Sequence, residues 1–194
     1  AMILKDAIRP NLVQTLEGTP AIIHGGPFAN IAQGTNSVIA TKTALSLADY
    51  VVTEAGFGFD LGAEKFLDIK CVSANLKPSA VVVVATIRAL KAHGGVALDA
   101  LNEANIEAVQ RGLGNLGRHL DSAKAFNLTP VVAINHFVHD TDEEVDVVRT
   151  FCERRGVPAV LNRGWSDGGD GARDLVTKVV EVVDAATPGF TPVY

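Results

Sequence analysis

Arg88 stands two residues after Thr86, where an apolar run gives way to Ile87-Arg88-Ala89-Leu90-Lys91-Ala92-His93-Gly94-Gly95. A guanidinium presents a fixed fork of donors that suits a carboxylate or a phosphate, and Thr86 adds a hydroxyl beside it. A buried strand that feeds cationic groups into a glycine-rich loop is how an open parallel sheet builds an anion or nucleotide site at its carboxyl edge. The plainer alternative, a strand end followed by a surface turn, stays open on these residues alone. Lys91 and His93, one turn on, read as solvated.

Two further loops carry candidate chemistry. In His24-Gly25-Gly26-Pro27-Phe28-Ala29-Asn30-Ile31-Ala32-Gln33-Gly34-Thr35-Asn36-Ser37 the glycines allow close backbone approach, and Asn30, Thr35, Asn36 and Ser37 offer neutral donors near a helix start. That combination can hold phosphate without added positive charge, or can simply cap a helix. In Thr53-Glu54-Ala55-Gly56-Phe57-Gly58-Phe59-Asp60-Leu61-Gly62-Ala63-Glu64-Lys65-Phe66 a strand is expected to deliver a second glycine-rich loop. Phe57 could stack on a flat ring there, and Glu54 or Asp60 could hold water on magnesium or orient a cation. For the acids the slightly favoured reading is that Asp60 and Glu64 cap or pair near the following helix, beside Lys65.

The third candidate is aromatic. Asn135-His136-Phe137 ends one apolar run, and Leu161-Asn162-Arg163-Gly164-Trp165 ends the next, with Trp165 the only tryptophan. Two neighbouring strand ends that present Phe137, Leu161 and Trp165 would make an apolar slot for a flat heteroaromatic ring. An isolated aromatic is more commonly core, but these follow strands rather than lie within them.

Elements must hold these groups in place. Apolar runs predict strands over 21–24, 50–53, 80–86, 130–135 and 158–162, and helical periodicity centres on 38–47, 105–126, 142–154 and 171–185. Such alternation predicts an α/β fold, a mostly parallel sheet with helices on both faces, in a single domain over residues 1–194. Asp140-Thr141-Asp142-Glu143-Glu144 reads as a capped helix start with acids at the positive dipole end. Asp167-Gly168-Gly169-Asp170-Gly171 reads as a helix-entry loop, too short for a calcium-binding EF-hand and without its distal glutamate.

Composition narrows the class. With 194 residues, 47% of them hydrophobic but only 6% aromatic, the chain can fill a core suited to a sheet buried on both faces. A net charge of −5 and the lack of a Lys/Arg run argue against a nucleic-acid partner. Cys71 and Cys152 lack metal-ligand spacing and read as reduced, and no membrane-length apolar stretch occurs, so a cytoplasmic, non-membrane protein is expected. No metal site is expected. The opening residues Ala1 to Ile8 look like the middle of an amphipathic helix with no cap before it.

The wording of these segments is more specific than their physics. Val84 to Gly95 resembles a signature of the formate–tetrahydrofolate ligase family, and the resemblance runs through Pro10-Asn11-Leu12-Val13-Gln14-Thr15, Gly18-Thr19-Pro20-Ala21, His24 to Ser37, Val52 to Cys71, Val131 to Asn135 and the loop around Trp165. It implies a P-loop-NTPase-like or Rossmann-like three-layer domain. It also implies ATP-dependent ligation of formate to tetrahydrofolate through formyl phosphate, with ATP and Mg²⁺, a monovalent cation as activator, and a homotetramer in the full enzyme. By this resemblance Phe137, Leu161 and Trp165 form the folate pocket, and Asn30, Thr35, Ser37, Phe57, Gly58, Thr86 and Arg88 belong to the nucleotide side. Catalytic residues are not assigned. The chain departs from the family at Gln33, where histidine is common, at bulky Phe59 and at Val138, where proline is common. The phosphate-binding pattern G-x-x-x-x-G-K-[ST] is not found; Ala40-Thr41-Lys42-Thr43 lacks its glycines. By the resemblance the chain is therefore expected to be the central piece of a longer enzyme, with the remainder of the ligase polypeptide as a partner. A binding module without turnover and a domain serving subunit assembly remain as alternatives.

Overall fold

The computed structural model describes residues 2–24, 33–35, 37–187 and 189–194. They fall into two compact units: the chain up to Leu76 together with Pro192–Tyr194, and Lys77–Thr191.

In the first unit, β1 (Asn11–Gln14) and β2 (Pro20–Ile23) form an antiparallel hairpin, with Asn11 opposite Ile23 and Gln14 opposite Pro20. Thr15 closes its turn twice, donating its N–H to the Thr19 carbonyl at 2.9 Å and accepting the Thr19 N–H on Oγ1 at 3.1 Å. Helix α1 (Val38–Leu47) starts on Ser37, whose Oγ accepts the Ala40 N–H at 3.0 Å. Two π-helical stretches, Phe59–Ala63 and Lys65–Cys71, run into the short α2 (Val72–Ala74). They bury Phe59, Phe66, Leu67 and Cys71.

Three expectations fail in this unit. The run 50–53 forms no strand: Tyr50 and Val52 are exposed, and no described strand pairs with it. The glycine-rich loop expected over 53–66 becomes helical from Phe59, because the apolar spacing of Phe59, Ala63, Phe66 and Leu67 finds a core to pack on. Residues 2–8 form turns rather than a helix. Met2, Ile3, Leu4 and Ile8 are exposed there, so no packing offsets the cost of a helical nucleus.

The second unit is α/β. Strands β3 (Ala80–Thr86), β4 (Thr129–Asn135) and β5 (Ala159–Asn162) form a parallel sheet in the order β3-β4-β5. Val131, Val132, Ala133 and Ile134 are all buried, so both faces of β4 are covered, as its unbroken apolar run requires. Helices α4 (Ile106–Ala125) and α6 (Gly164–Ala185) pack against it, and α5 (Asp142–Arg154) packs on α4 and β5.

Helix α3 (Ile87–His93) occupies what the sequence suggests is a basic loop. Its start is fixed by Thr86, whose Oγ1 accepts the Ala89 N–H at 3.0 Å. The following Gly94 is a packing residue, not a flexible one. A Cβ there would fall 2.0 Å from the Ala108 carbonyl oxygen of α4, and one on Gly112 of α4 would fall 2.0 Å from the Leu90 oxygen. The two glycines let α3 and α4 meet backbone to backbone. Helix α6 breaks at Gly168 (φ 60°, ψ −144°), so the expected entry loop is a helical turn, a glycine break and then the long helix.

Candidate functional site

The sheet register aligns Thr86, Asn135 and Asn162 in one row at the carboxyl edge. Ligands of open parallel sheets bind at that edge, and the segments leaving these three positions line a cavity of about 190 Å³. Arg88 comes from the first turn of α3, and Leu101 and Asn102 from the segment before α4. Phe137, Val138, His139 and Asp140 come from the loop after β4, and Trp165 from the first turn of α6. A larger hollow of about 390 Å³ lies at the start of β5, lined by Arg149, Glu153 and Ala159 among others. It sits at the amino edge and holds none of the residues the sequence singles out.

The cavity's aromatic wall is a Phe137–Trp165 pair, with ring centroids 6.1 Å apart and planes tilted by 51°. That spacing is direct aromatic contact, so a third ring stacks beside the pair, not between its members. Trp165 is 79% exposed and Phe137 37%, leaving apolar faces open to a ligand. Short hydrogen bonds fix the loops that carry them. Asn162 Nδ2 donates to Asn135 Oδ1 at 2.7 Å, and Asn162 Oδ1 accepts the Gly164 N–H at 3.1 Å, joining the end of β4 to the turn that holds Trp165. Asp140 Oδ2 accepts the Phe137 N–H at 2.8 Å, and the Asp140 N–H returns to the Phe137 carbonyl at 3.0 Å.

The polar wall is Arg88, whose Nη1 donates to Asn102 Oδ1 at 2.6 Å. Behind it lies a fully buried ion pair, Lys91 Nζ to Glu144 Oε1 at 3.2 Å. Lys91 also donates to the Glu103 carbonyl at 2.9 Å, and Glu144 accepts the N–H of Asn105 at 2.8 Å and of Thr141 at 3.1 Å. Burial pushes the Glu144 carboxyl up, but the hydrogen bonds from Asn105, Thr141 and Lys91 outweigh it and hold the group below the ordinary glutamate value. Each anchor lies within a turn of a cavity residue: Lys91 of Arg88, Glu103 of Asn102, Thr141 of Asp140. Reading Lys91 as solvated was therefore wrong. Its partner lies far along the chain, on a helix whose packing the local sequence does not reveal.

The structure gathers Arg88, Phe137 and Trp165 on one cavity and leaves other candidates elsewhere. Leu161 is half-buried on β5 opposite Ile134 and is not among the lining residues. Thr86 serves as the cap of α3, and Ser37 as the cap of α1. Thr35 is buried with no hydrogen-bond partner for Oγ1 among the described residues, while its carbonyl accepts from the Lys70 ammonium. Phe57 is exposed at a positive φ of 55°, and Gly58 precedes the π-helical stretch. Asn30 lies outside the described residues. Sequence reasoning missed Asn102, and it read Asp140 only as a candidate helix cap. No group of three or more His, Cys, Asp or Glu side chains suited to a metal occurs among the described residues. No helix among them is long and apolar enough to cross a membrane.

Comparison with known proteins adds to this geometry. The family model described as formate–tetrahydrofolate ligase matches residues 1–194. The chain is 60% identical over 193 residues to the formate–tetrahydrofolate ligase of Ruegeria pomeroyi, and 60% identical over 194 residues to those of Granulibacter bethesdensis and Staphylococcus aureus. Each match takes in all of this chain but only 34–35% of the relative, so the chain spans about a third of their length.

Proposed function

Because the chain belongs to the formate–tetrahydrofolate ligase family, we propose that it supplies the folate pocket and part of the nucleotide site of that ligase. In this reading ATP phosphorylates a formate oxygen to give formyl phosphate and ADP. The aniline nitrogen of tetrahydrofolate then attacks the formyl carbon, and inorganic phosphate leaves, giving 10-formyltetrahydrofolate. Activation supplies the leaving group; the protein's share is positioning and charge stabilisation.

The observation that carries the reading is the Phe137–Trp165 pair sharing a cavity with Arg88 at the carboxyl edge of the sheet. Trp165 offers an open face for stacking, Phe137 backs it, and Leu161 supports the strand from which the Trp165 turn departs. Thr35, Ser37, Asn30, Phe57, Gly58, Thr86 and Arg88 are assigned to the nucleotide side, where neutral donors, backbone N–H groups and the Arg88 guanidinium would meet phosphate. Magnesium would travel with ATP, and no ligands for it are assigned in this chain. A cytoplasmic homo-oligomer completed by the rest of the ligase polypeptide, with a monovalent cation as activator, belongs to the same proposal.

The test is a titration of the chain with tetrahydrofolate, followed by Trp165 fluorescence, with Trp165→Phe as the optical blank. Saturable quenching is the expected result; a flat titration of folded protein overturns the folate assignment. A second reading, binding without turnover, is favoured by the missing G-x-x-x-x-G-K-[ST] pattern. It predicts that the same sample, given formate and ATP, forms no measurable product while still binding folate.

A further inference from the structure

Two Asp-Gly steps lie in the chain, Asp167-Gly168 and Asp170-Gly171, and there is no Asn-Gly step. Glycine leaves its own nitrogen unshielded, so an aspartate before it can close its side chain onto the backbone without meeting a Cβ. Local sequence treats the two steps alike. The fold does not.

Asp167 ends a single helical turn, residues 164–167, that hangs on one carbonyl. The Ser166 and Asp167 N–H groups both reach the Arg163 oxygen, at 3.0 and 2.9 Å, and Arg163 supplies no side-chain cap. One turn is too short to sustain itself as a helix, and Gly164 opens it with poor propensity. Directly after Asp167 the backbone leaves helical geometry at Gly168 (φ 60°, ψ −144°). Asp167 and Gly168 are both exposed, and among the described residues no ion pair engages the Asp167 carboxylate. The second step is held. The Gly171 carbonyl accepts the Arg163 N–H at 2.9 Å, and a Cβ on Gly171 would fall 2.4 Å from the Arg163 oxygen. Asp170 is paired with Arg173, and the unbroken part of α6 continues from it.

We propose that Asp167 is a site of spontaneous isoaspartate formation, and that the conversion disturbs the turn carrying Trp165. The Gly168 nitrogen attacks Cγ of the Asp167 carboxylic acid. A C–N bond forms, and the carboxyl hydroxyl and the amide proton leave together as water, closing a succinimide ring. Water then opens the ring. Attack at the side-chain carbonyl restores aspartate; attack at the main-chain carbonyl leaves the chain running through Cβ and Cγ. The second product has the same atoms but a backbone one carbon longer, and no oxidant, cofactor or enzyme is consumed. Opening of the short turn is what lets Gly168 reach Cγ, and such local opening is cheapest where few contacts hold the backbone. The added carbon falls two residues after Trp165, in a turn that the glycine break already separates from the rest of α6. The inference needs no ligand and does not depend on the folate reading.

The experiment holds the folded wild-type chain at pH 6 for several weeks and digests samples with trypsin. Peptide 164–173 contains both steps, and electron-transfer fragmentation tells isoaspartate from aspartate at each. Asp167 is expected to convert roughly tenfold faster than Asp170, the ratio set by a difference of about 1.4 kcal/mol in opening cost. In denaturant the two rates should converge, and Asp167→Glu should abolish the faster one, because the longer side chain does not close this ring. Conversion at Asp170 as fast as at Asp167 in the folded chain, or none at Asp167, overturns the proposal. A preference for Asp167 that persists in denaturant overturns its structural basis. The isolated isoaspartate form should show a changed Trp165 emission; a spectrum identical to that of fresh protein overturns the disturbance of the turn.

Discussion

Lys91 Nζ lies 3.2 Å from Glu144 Oε1 with both side chains fully buried, and this pair ties α3 to the start of α5. Glu144 also closes a capping box with Thr141 and accepts the N–H of Asn105, the cap of α4. One carboxylate thus joins three helix ends beneath the cavity. Removing one partner of a buried pair leaves the other charge without compensation, which costs about 3–5 kcal/mol. Lys91→Met is expected near the lower end of that range, because the two backbone N–H groups still serve Glu144. Chemical denaturation measures it, and a loss under 1 kcal/mol would contradict the buried geometry. Weaker tetrahydrofolate binding is expected alongside, since Arg88, Asn102 and Asp140 all flank the pair.

The same group sets an acid limit on stability. Hydrogen bonds outweigh burial and hold Glu144 below its ordinary value, so the unfolded chain binds this proton more readily than the folded one. Its contribution is present above the unfolded glutamate value, near 4.3. It is lost as the pH falls through the lower folded value. Denaturation of wild type and Glu144→Gln between pH 7 and pH 3 should therefore show a stability gap that narrows toward the acid end. A gap that widens on acidification would reverse the sign of the shift.

Helix α4 carries two glycines with opposite expected responses. A Cβ on Gly112 would fall 2.0 Å from the Leu90 carbonyl oxygen and 2.8 Å from its carbon, so Gly112→Ala must push α3 away. A loss of about 1–3 kcal/mol follows from overpacking of that kind. Gly114 meets nothing within 4 Å, and Gly114→Ala should gain about 0.5–1 kcal/mol from helix propensity. Thermal unfolding of the two variants side by side checks the α3–α4 contact, because composition alone would give them the same sign.

Both cysteines are expected to be silent in the folded protein. Burial pushes the Cys71 thiol up to about 12 against the opposing charge of Lys70, and the Cys152 thiol up to about 11 against that of Arg155. Neither is accessible, at 1% and 0% exposure, and the thiolate is the reactive form. A disulfide-exchange reagent at pH 8 should find no fast thiol until denaturant is added. Rapid reaction of a native thiol would show that one of these cores opens.

What the sequence makes legible divides along physical lines. Strands β3, β4 and β5 read directly from unbroken apolar runs, and α4 and α5 from periodicity with caps, because each is decided by neighbours in the chain. Arg88, Phe137 and Trp165 were legible for a related reason: each follows a strand end, and a parallel sheet brings its strand ends together. Helix α3 was hidden by the two glycines after it, of which Gly94 serves close packing rather than a loop. The π-helical stretch was hidden by Gly56, Gly58 and Gly62 in the same way. Lys91 and Asn102 were not legible at all. Their roles depend on Glu144 and Arg88, partners that only the tertiary fold supplies.

The last test concerns what holds the aromatic wall. Asn162 Nδ2 donates to Asn135 Oδ1 at 2.7 Å while its Oδ1 accepts the Gly164 N–H at 3.1 Å, one residue before Trp165. Asn162→Ala removes both bonds and leaves the Asn135 amide without its partner, a change of about 1–3 kcal/mol at a half-buried site. The larger consequence should be local. With Gly168 already breaking α6, the turn carrying Trp165 is fastened to the sheet edge through Asn162 and through the Arg163 N–H on the Gly171 carbonyl. Loss of the first fastening lets Trp165 sample positions away from Phe137. The expected outcome is weaker tetrahydrofolate binding with a red-shifted Trp165 emission and a small change in melting temperature. A variant that loses stability yet binds as wild type would mean that the Arg163–Gly171 bond alone holds the wall, and that Asn162 serves the sheet rather than the site.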